Sequence, residues 1–262
     1  GPEKAKSLTA GVVFAPRNIQ ALRNLVLSVD YFHIKVDDAV TFTDRQTILN
    51  QCYTEGQPAF CQFVIRRPTG SGPNNSGSIA FINVGGVNAA ALKTAGVDTV
   101  LQYRTSLDRF MGGLDMNARI AWTHMLKGYI IELPGAPKNR YVGEVGTPKD
   151  KVNGNVGFDT GKWGLSFSGT YIGKSLEDDQ FLESRGLDRH AVEIDPEFYL
   201  DSQIRFTPSK TYEFFVGVDN MLDNKAPNLR SGTTFNVTGS ETAADVYDIF
   251  GRRYYAGARL RF

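Results

Sequence analysis

The sequence predicts an all-β fold, an antiparallel meander of about nine strands. Apolar and polar residues alternate with a period of two in nine segments, as in strands with one apolar and one polar face. The connections between these segments alternate between short and long along the chain. We expect strands that are neighbours in the sequence to pair, because hairpins of this spacing leave little freedom for crossovers.

Each predicted strand is defined by the apolar residues that share one of its faces. The first three strands carry them at Leu8, Ala10, Val12 and Phe14, at Leu25, Leu27, Val29 and Tyr31, and more loosely at Val97, Leu101 and Tyr103. The next three carry them at Leu114, Met116, Ala118, Ile120 and Trp122, at Val152, Val156 and Phe158, and at Trp163, Leu165, Phe167 and Tyr171. The last three carry them at Ile194, Phe198, Leu200, Ile204 and Phe206, at Tyr212, Phe214, Val216 and Val218, and at Tyr254, Ala256, Ala258, Leu260 and Phe262. The intervening positions are mostly polar, as at Asn155, Gln203, Asp219 and Arg259.

The connections favour a membrane barrel over a soluble β protein. Short turns are predicted near residues 16–21, 108–113, 160–162 and 208–210, and long polar connections at about 43–90, 129–149, 173–191 and 223–246. Outer-membrane barrels place short turns on the periplasmic side and long loops outside the cell. The segments 194–206 and 253–262 provide roughly the 9–11 residues that a tilted strand needs to cross a bilayer.

Composition excludes several other classes. The chain is 41% hydrophobic and 22% charged, with a formal net charge of +1. These values exclude disorder and give no electrostatic argument for a nucleic-acid partner. The sequence contains no apolar run of about 18 residues, so no transmembrane helix is predicted.

Two cysteines, Cys52 and Cys61, lie close together in a stretch rich in polar and turn-forming residues. Two unrelated reduced thiols are one interpretation. We favour a single disulfide formed in an oxidising compartment, because the chain has no other cysteine. The intervening segment is short enough to close as a small ring.

No catalytic arrangement is found, and the sequence predicts neither an enzyme nor a cofactor. The three histidines are isolated, and the glycine-rich segment 70–77 lacks the Lys-Ser/Thr pair of a phosphate-binding loop, so we interpret it as a loop tip. A group of acidic residues has the oxygen ligands that Ca²⁺ prefers, but its spacing fits no known ion loop, and a solvated loop is favoured. Its members are Glu177, Asp178, Asp179, Glu183 and Asp188.

Arg66 and Arg67 follow Cys61 closely and are candidates for contact with an anionic ligand. A guanidinium group matches the geometry of a carboxylate, which makes arginine suitable for this role. Contact with lipopolysaccharide, or solubility alone, explains the pair equally well.

Two segments carry a resemblance to a known family. Residues 248–262 resemble the final strand of TonB-dependent receptors, which ends in an aromatic residue, here Phe262. Residues 216–227 resemble the penultimate strand of the family, which runs into an Asn-apolar-apolar-Asp motif, here Asn220 to Asp223. Residues 2–7 and 27–40 also fit, so the resemblance extends over essentially the whole chain.

The resemblance implies that residues 1–262 are the C-terminal part of a transmembrane outer-membrane barrel of about 22 strands, without its plug domain. It implies TonB-dependent uptake of a scarce nutrient such as a ferric siderophore, cobalamin or an oligosaccharide. The implied partners are outer-membrane lipid and lipopolysaccharide, the remaining strands and plug, TonB through the N-terminal part, and the nutrient. A passive porin-type barrel and a secreted all-β adhesin or carbohydrate-binding module are the alternatives.

Overall fold

The structure is a computed structural model that describes residues 2–42, 44–68, 77–84, 86–133, 136–229 and 242–261. Its strands are β1 (Lys4–Phe14), β2 (Leu25–Phe42), β3 (Val64–Arg66), β4 (Ile79–Ile82), β5 (Gly86–Ser106), β6 (Asp115–Ile131), β7 (Asp150–Asp159), β8 (Trp163–Ile172), β9 (Ser175–Leu176), β10 (Glu193–Ile194), β11 (Glu197–Phe206), β12 (Tyr212–Asp219) and β13 (Arg253–Leu260). Its α-helices are α1 (Arg45–Leu49), α2 (Pro58–Cys61) and α3 (Asp179–Ser184), beside a 3₁₀ turn at Gln20–Leu22 and a π turn at Asn50–Thr54.

Nine of these strands form one sheet, which confirms the predicted fold class. Their order is β1-β2-β5-β6-β7-β8-β11-β12-β13, so each long strand lies beside the next long strand along the chain. The pairs from β6 to β13 are antiparallel with unbroken registers. The short turns and long connections of this sheet fall where the sequence predicts them.

The long connections contain more structure than the sequence predicts. Strands β3 and β4 pair with each other, as do β9 and β10. Helix α1 begins after Asp44, whose side chain accepts a hydrogen bond from the Thr47 amide, and α3 begins after Asp178 in the same way. Such caps satisfy amide groups that a short helix leaves without an internal partner. The strands β2, β5 and β6 are also longer than predicted, at 18, 21 and 17 residues.

The apolar face of the sheet is exposed rather than buried in a core. Val216 is 61% exposed and Phe214 is 47% exposed, while Leu165 and Phe167 are partly exposed. A soluble β-sandwich would bury such residues between two sheets. The apolar alternation predicted from the sequence therefore forms an outward-facing surface across these strands.

The chain divides into two compact units. The disulfide unit comprises residues 1–6, 35–92 and 130–138, and its core consists of Cys52, Phe60 and Leu133 with Phe63 and Ala136 packed against them. The sheet unit comprises residues 7–34, 93–129 and 139–262. Its main buried cluster lies at the end of the sheet that bears the long connections, and consists of Val145, Ile172, Ile194, Tyr199, Leu229, Ala243 and Tyr247.

Among the described residues, none of the helices combines the length and the apolar character that crossing a membrane would require.

Candidate functional site

The polar face of the sheet carries aligned rows of polar residues and glycines. One row crosses six strands at directly paired positions, Asn117, Gly157, Ser166, Gln203, Gly217 and Tyr255. The Gln203 amide donates a hydrogen bond of 3.1 Å to the Tyr255 hydroxyl across the strand between them. Successive side chains of a strand point to opposite faces, so the exposed apolar residues do not interrupt these rows.

An ionic cluster lies on this face beside the short turns. The Glu213 carboxylate is only 7% exposed and lies 3.0 Å from a guanidinium nitrogen of Arg259 and 3.0 Å from one of Arg261. Arg205 lies 3.9 Å from the same carboxylate and also pairs with Asp159. The cluster thus places three arginines against two carboxylates, and Glu213 connects all three.

Two glycines allow aromatic rings to lie across the polar face. A Cβ atom at Gly217 would overlap the Tyr255 ring, and one at Gly257 would overlap the Phe215 ring. The two rings pack with their centroids 6.3 Å apart. A glycine inside a strand commonly marks such a close approach, and here each glycine leaves room for the ring on the neighbouring strand.

The disulfide unit contains the predicted bond between Cys52 and Cys61, which is confirmed. It closes a ten-residue ring that includes the last three residues of the π turn and all of α2. Arg66 donates to the Tyr53 hydroxyl and to the Gly77 carbonyl, and its guanidinium lies 5.4 Å from the centre of the Tyr53 ring. The side chains of Arg66 and Arg67 are both exposed.

The acidic connection after β8 is the predicted solvated loop only in part, because Glu183 and Asp188 are exposed whereas Glu177 is buried. Glu177 is 0% exposed, and the Asp178 carboxylate accepts the α3 amide of Phe181 at 2.7 Å. Glu144 from the preceding long connection is also buried, and burial raises its pKa to about 7. The correction concerns Glu177, which lies between β9 and α3, and composition alone does not reveal its burial. The described residues contain no group of three or more potential ligands arranged to hold a metal ion.

Asn220 connects the two ends of the last long connection. It has a positive φ of 48° and is 1% exposed. Its amide nitrogen donates to the Asn224 carbonyl at 2.8 Å and to the Asp248 carboxylate at 3.2 Å, and its side-chain oxygen accepts the Asn224 amide at 3.0 Å. Its backbone amide donates to Asp201. Asparagine suits this position because it adopts positive φ more readily than most residues and because its side chain forms hydrogen bonds with the backbone of the turn.

Replacing Asn220 by alanine is expected to destabilise this end of the sheet. The change removes three side-chain hydrogen bonds and leaves a β-carbon at a positive φ. We expect the free energy of unfolding to fall by about 1–2 kcal/mol, because water can reach the former partners. The free energy of unfolding of the full-length protein in urea measures this loss. Asn220→Gly is the control, because glycine accepts the backbone conformation and isolates the contribution of the side chain. Equal stability of the alanine variant and the native protein would contradict the prediction.

The predicted site residues fall into different groups in the structure. Cys52, Cys61, Arg66 and Arg67 all lie in the disulfide unit. Phe262 and most of the glycine-rich segment 70–77 lie outside the described residues. The histidines are predicted to be isolated, but His124 lies 2.7 Å from the Asp150 carboxylate. Sequence reasoning missed the ionic cluster, although Arg205, Glu213 and Arg259 all occupy polar positions of the alternation.

Comparison with known proteins agrees with this architecture. The fold is similar to the ferric enterobactin receptor PfeA of Pseudomonas aeruginosa in a G324V mutant form, with a TM-score of 0.60 and 17% identity over 99% of this chain and 31% of that one. It is similar to the siderophore receptor PirA of Acinetobacter baumannii, with a TM-score of 0.57 and 14% identity over 100% of this chain and 32% of that one. It is also similar to the FrpB iron transporter of Neisseria meningitidis, with a TM-score of 0.57 and 14% identity over 99% of this chain and 30% of that one.

The chain therefore spans about a third of the solved structures that it matches. No curated protein matches it. A family model described as TonB dependent receptor-like, β-barrel, matches residues 1–221. Because this match includes most of the chain, the protein belongs to the TonB-dependent receptor β-barrel family.

Proposed function

We propose that this chain is part of the barrel wall of an outer-membrane receptor that imports a scarce nutrient with energy delivered by TonB. The observation that carries the proposal is the two-faced sheet of long antiparallel strands. One face exposes residues such as Val216 and Phe214, and the other carries the Glu213 cluster. A transmembrane barrel needs an apolar face toward lipid and tolerates a polar face toward its interior.

The same proposal assigns the two ends of the sheet. The short turns, such as residues 160–162, face the periplasm, and the long connections with their helices and disulfide face the outside of the cell. Outer-membrane lipid and lipopolysaccharide then surround the apolar face. Residues 1–262 are one domain in this proposal, the C-terminal part of a barrel of about 22 strands whose plug and TonB-contacting segment lie elsewhere in the receptor.

A ferric siderophore is the nutrient class that we propose. The solved structures with similar folds include receptors for ferric enterobactin and other siderophores, which supports this class over cobalamin or an oligosaccharide. No nucleic acid takes part, and the chain binds and transports rather than catalyses.

Arg66 and Arg67 are the residues of this chain that we propose for contact with the anionic ligand. The guanidinium of Arg66 is already bonded to Tyr53 and Gly77, which fixes its position. Arg67 pairs through its backbone with Ser78 and Gly77, and its side chain is exposed. We therefore expect Arg67 to contribute more to ligand affinity, and contact with lipopolysaccharide is the competing role.

The test is uptake of radiolabelled iron as ferric enterobactin by cells that produce the full-length receptor, with and without TonB. We expect uptake that requires both proteins, and weaker binding of ferric enterobactin by Arg67→Gln than by Arg66→Gln. Uptake of cobalamin or an oligosaccharide instead would overturn the nutrient class. Diffusion of solutes independent of TonB would favour a porin, and extraction of the full-length protein from cells without detergent would favour a secreted adhesin.

A further inference from the structure

Two long connections of the sheet unit are joined by backbone hydrogen bonds. The Val145 amide donates to the Leu176 carbonyl at 2.9 Å, and the Leu176 amide donates to the Gly143 carbonyl at 2.8 Å. Val145 is 1% exposed and belongs to the main buried cluster of the sheet unit. The connection after β6 is therefore docked on the connection after β8, and we call residues 143–145 and 175–179 the docked contact.

The Glu144 side chain lies within the docked contact. The residue is 6% exposed, and one of its carboxylate oxygens accepts a hydrogen bond of 3.4 Å from the Asp179 amide at the start of α3. This distance is longer than that of a strong N–H···O bond, so the bond replaces the lost hydration of an ionised carboxylate poorly. Burial of this kind favours the neutral form of the carboxyl group.

The charges around Glu144 act in both directions. Asp178 and Asp179 disfavour its ionised form, whereas Arg189 favours it. The Arg189 guanidinium also lies 3.8 Å from the Asp179 carboxylate and is 45% exposed, so it compensates Glu144 only partly. The fully buried Glu177 immediately precedes Asp178 in the chain. Burial first, and then the two aspartates, raise the pKa of Glu144 from its usual 4.5 to about 7.

The last long connection approaches the docked contact with apolar and neutral groups. A Cβ atom at Gly146 would lie 3.7 Å from Val246, and Tyr247 shares the main buried cluster with Val145. Burial raises the pKa of Tyr247 above its usual 10, so its hydroxyl is neutral near pH 7. Asp245 of the same connection is exposed, and water screens its charge.

We infer that protonation of Glu144 controls how tightly the connection after β8 docks on the connection after β6. The docked form binds the proton more tightly than an undocked form with an ordinary carboxyl group does. Docking is therefore strongest below the ordinary pKa of 4.5 and weakens as the pH rises to about 7. The inference goes beyond the proposed function, because the contact lies within this chain. In that function the contact faces the outside of the cell, where acid would close it.

Hydrogen exchange in the purified full-length receptor, followed by mass spectrometry, tests the inference. The amides of Val145, Leu176 and Asp179 report the opening of the docked contact, because each donates across it. Glu144→Gln imitates the neutral carboxyl group at every pH. We expect the ratio of the native exchange rate to that of Glu144→Gln to rise about twentyfold between about pH 5.5 and about pH 7.5. The ratio cancels the chemical pH dependence of exchange.

Glu183→Gln is the matched control, because Glu183 is an exposed carboxylate of α3, and this variant should keep the native pH dependence. Arg189→Gln is a second test that does not depend on the folding of Glu144→Gln. It removes a charge that favours ionised Glu144, so its exchange rate relative to the native receptor should rise above about pH 7. A ratio that stays constant with pH in the Glu144 or the Arg189 variant would overturn the inference, as would equal loss of the pH dependence in Glu183→Gln. Failure of TonB-dependent uptake would reject the proposed function and leave this result unchanged.

Discussion

Arginine at position 216 is expected to destabilise the barrel by about 2–4 kcal/mol, the cost of a charged residue on the lipid face near the middle of a bilayer. Val216 lies in the middle of β12, and its directly paired neighbours are Ile204 on β11 and Ala256 on β13. All three belong to the exposed apolar face. A guanidinium among them has no partner for its donors and must remain hydrated or move toward the headgroups.

The measurement is the free energy of unfolding of Val216→Arg in the full-length receptor, folded into lipid bilayers. Ser168→Arg is the matched control on the opposite face, because Ser168 pairs directly with Asp201 at a similar distance from the strand ends. We expect a change below about 1 kcal/mol there, as for an exposed ion pair. Asp219 is less suitable as a control site, because it already pairs with Arg253. Equal losses for the two variants would contradict a lipid-facing position for Val216.

The strands of the sheet were predictable from sequence because each has one apolar and one polar face. Residues 212–219 show the reason: Phe214 and Val216 alternate with Glu213 and Phe215, and the period is visible even where Phe215 lies on the polar face. The helices were not predictable in the same way. Helices α1, α2 and α3 contain four to six residues, which is too few for a helical apolar period.

The candidate site was only partly predictable, because its parts are distant in the sequence. The disulfide followed from the presence of two cysteines alone. The contact between Glu213 and Arg259 spans 46 residues and depends on the register of β12 and β13, which places the two directly opposite each other. Alternation assigns each residue to a face but does not say which residue lies opposite on the next strand. The burial of Glu177 likewise depends on the path of a long connection.

Removal of the Glu213 charge is the second change with a large expected effect. In Glu213→Gln the shape of the side chain is retained, but Arg205, Arg259 and Arg261 face one another with only Asp159 to balance them. Removing one partner of a buried ion pair lowers the stability of a protein by about 3–5 kcal/mol. We expect about 3 kcal/mol, the lower end, because two of the arginines are more than half exposed and water screens their repulsion.

Unfolding of the full-length receptor in urea at low and high salt tests this expectation, since salt screens the remaining repulsion and should reduce the loss. Glu193→Gln is the matched control, because Glu193 pairs with Lys174 at 2.6 Å but has a side chain that is 43% exposed. An exposed pair of this kind contributes about 1 kcal/mol or less. If both variants lose equally little stability, Glu213 does not neutralise the three arginines. A loss of stability that is large and that high salt reduces would instead show that the buried Glu213 carboxylate on β12 holds the neighbouring ends of β11 and β13 together.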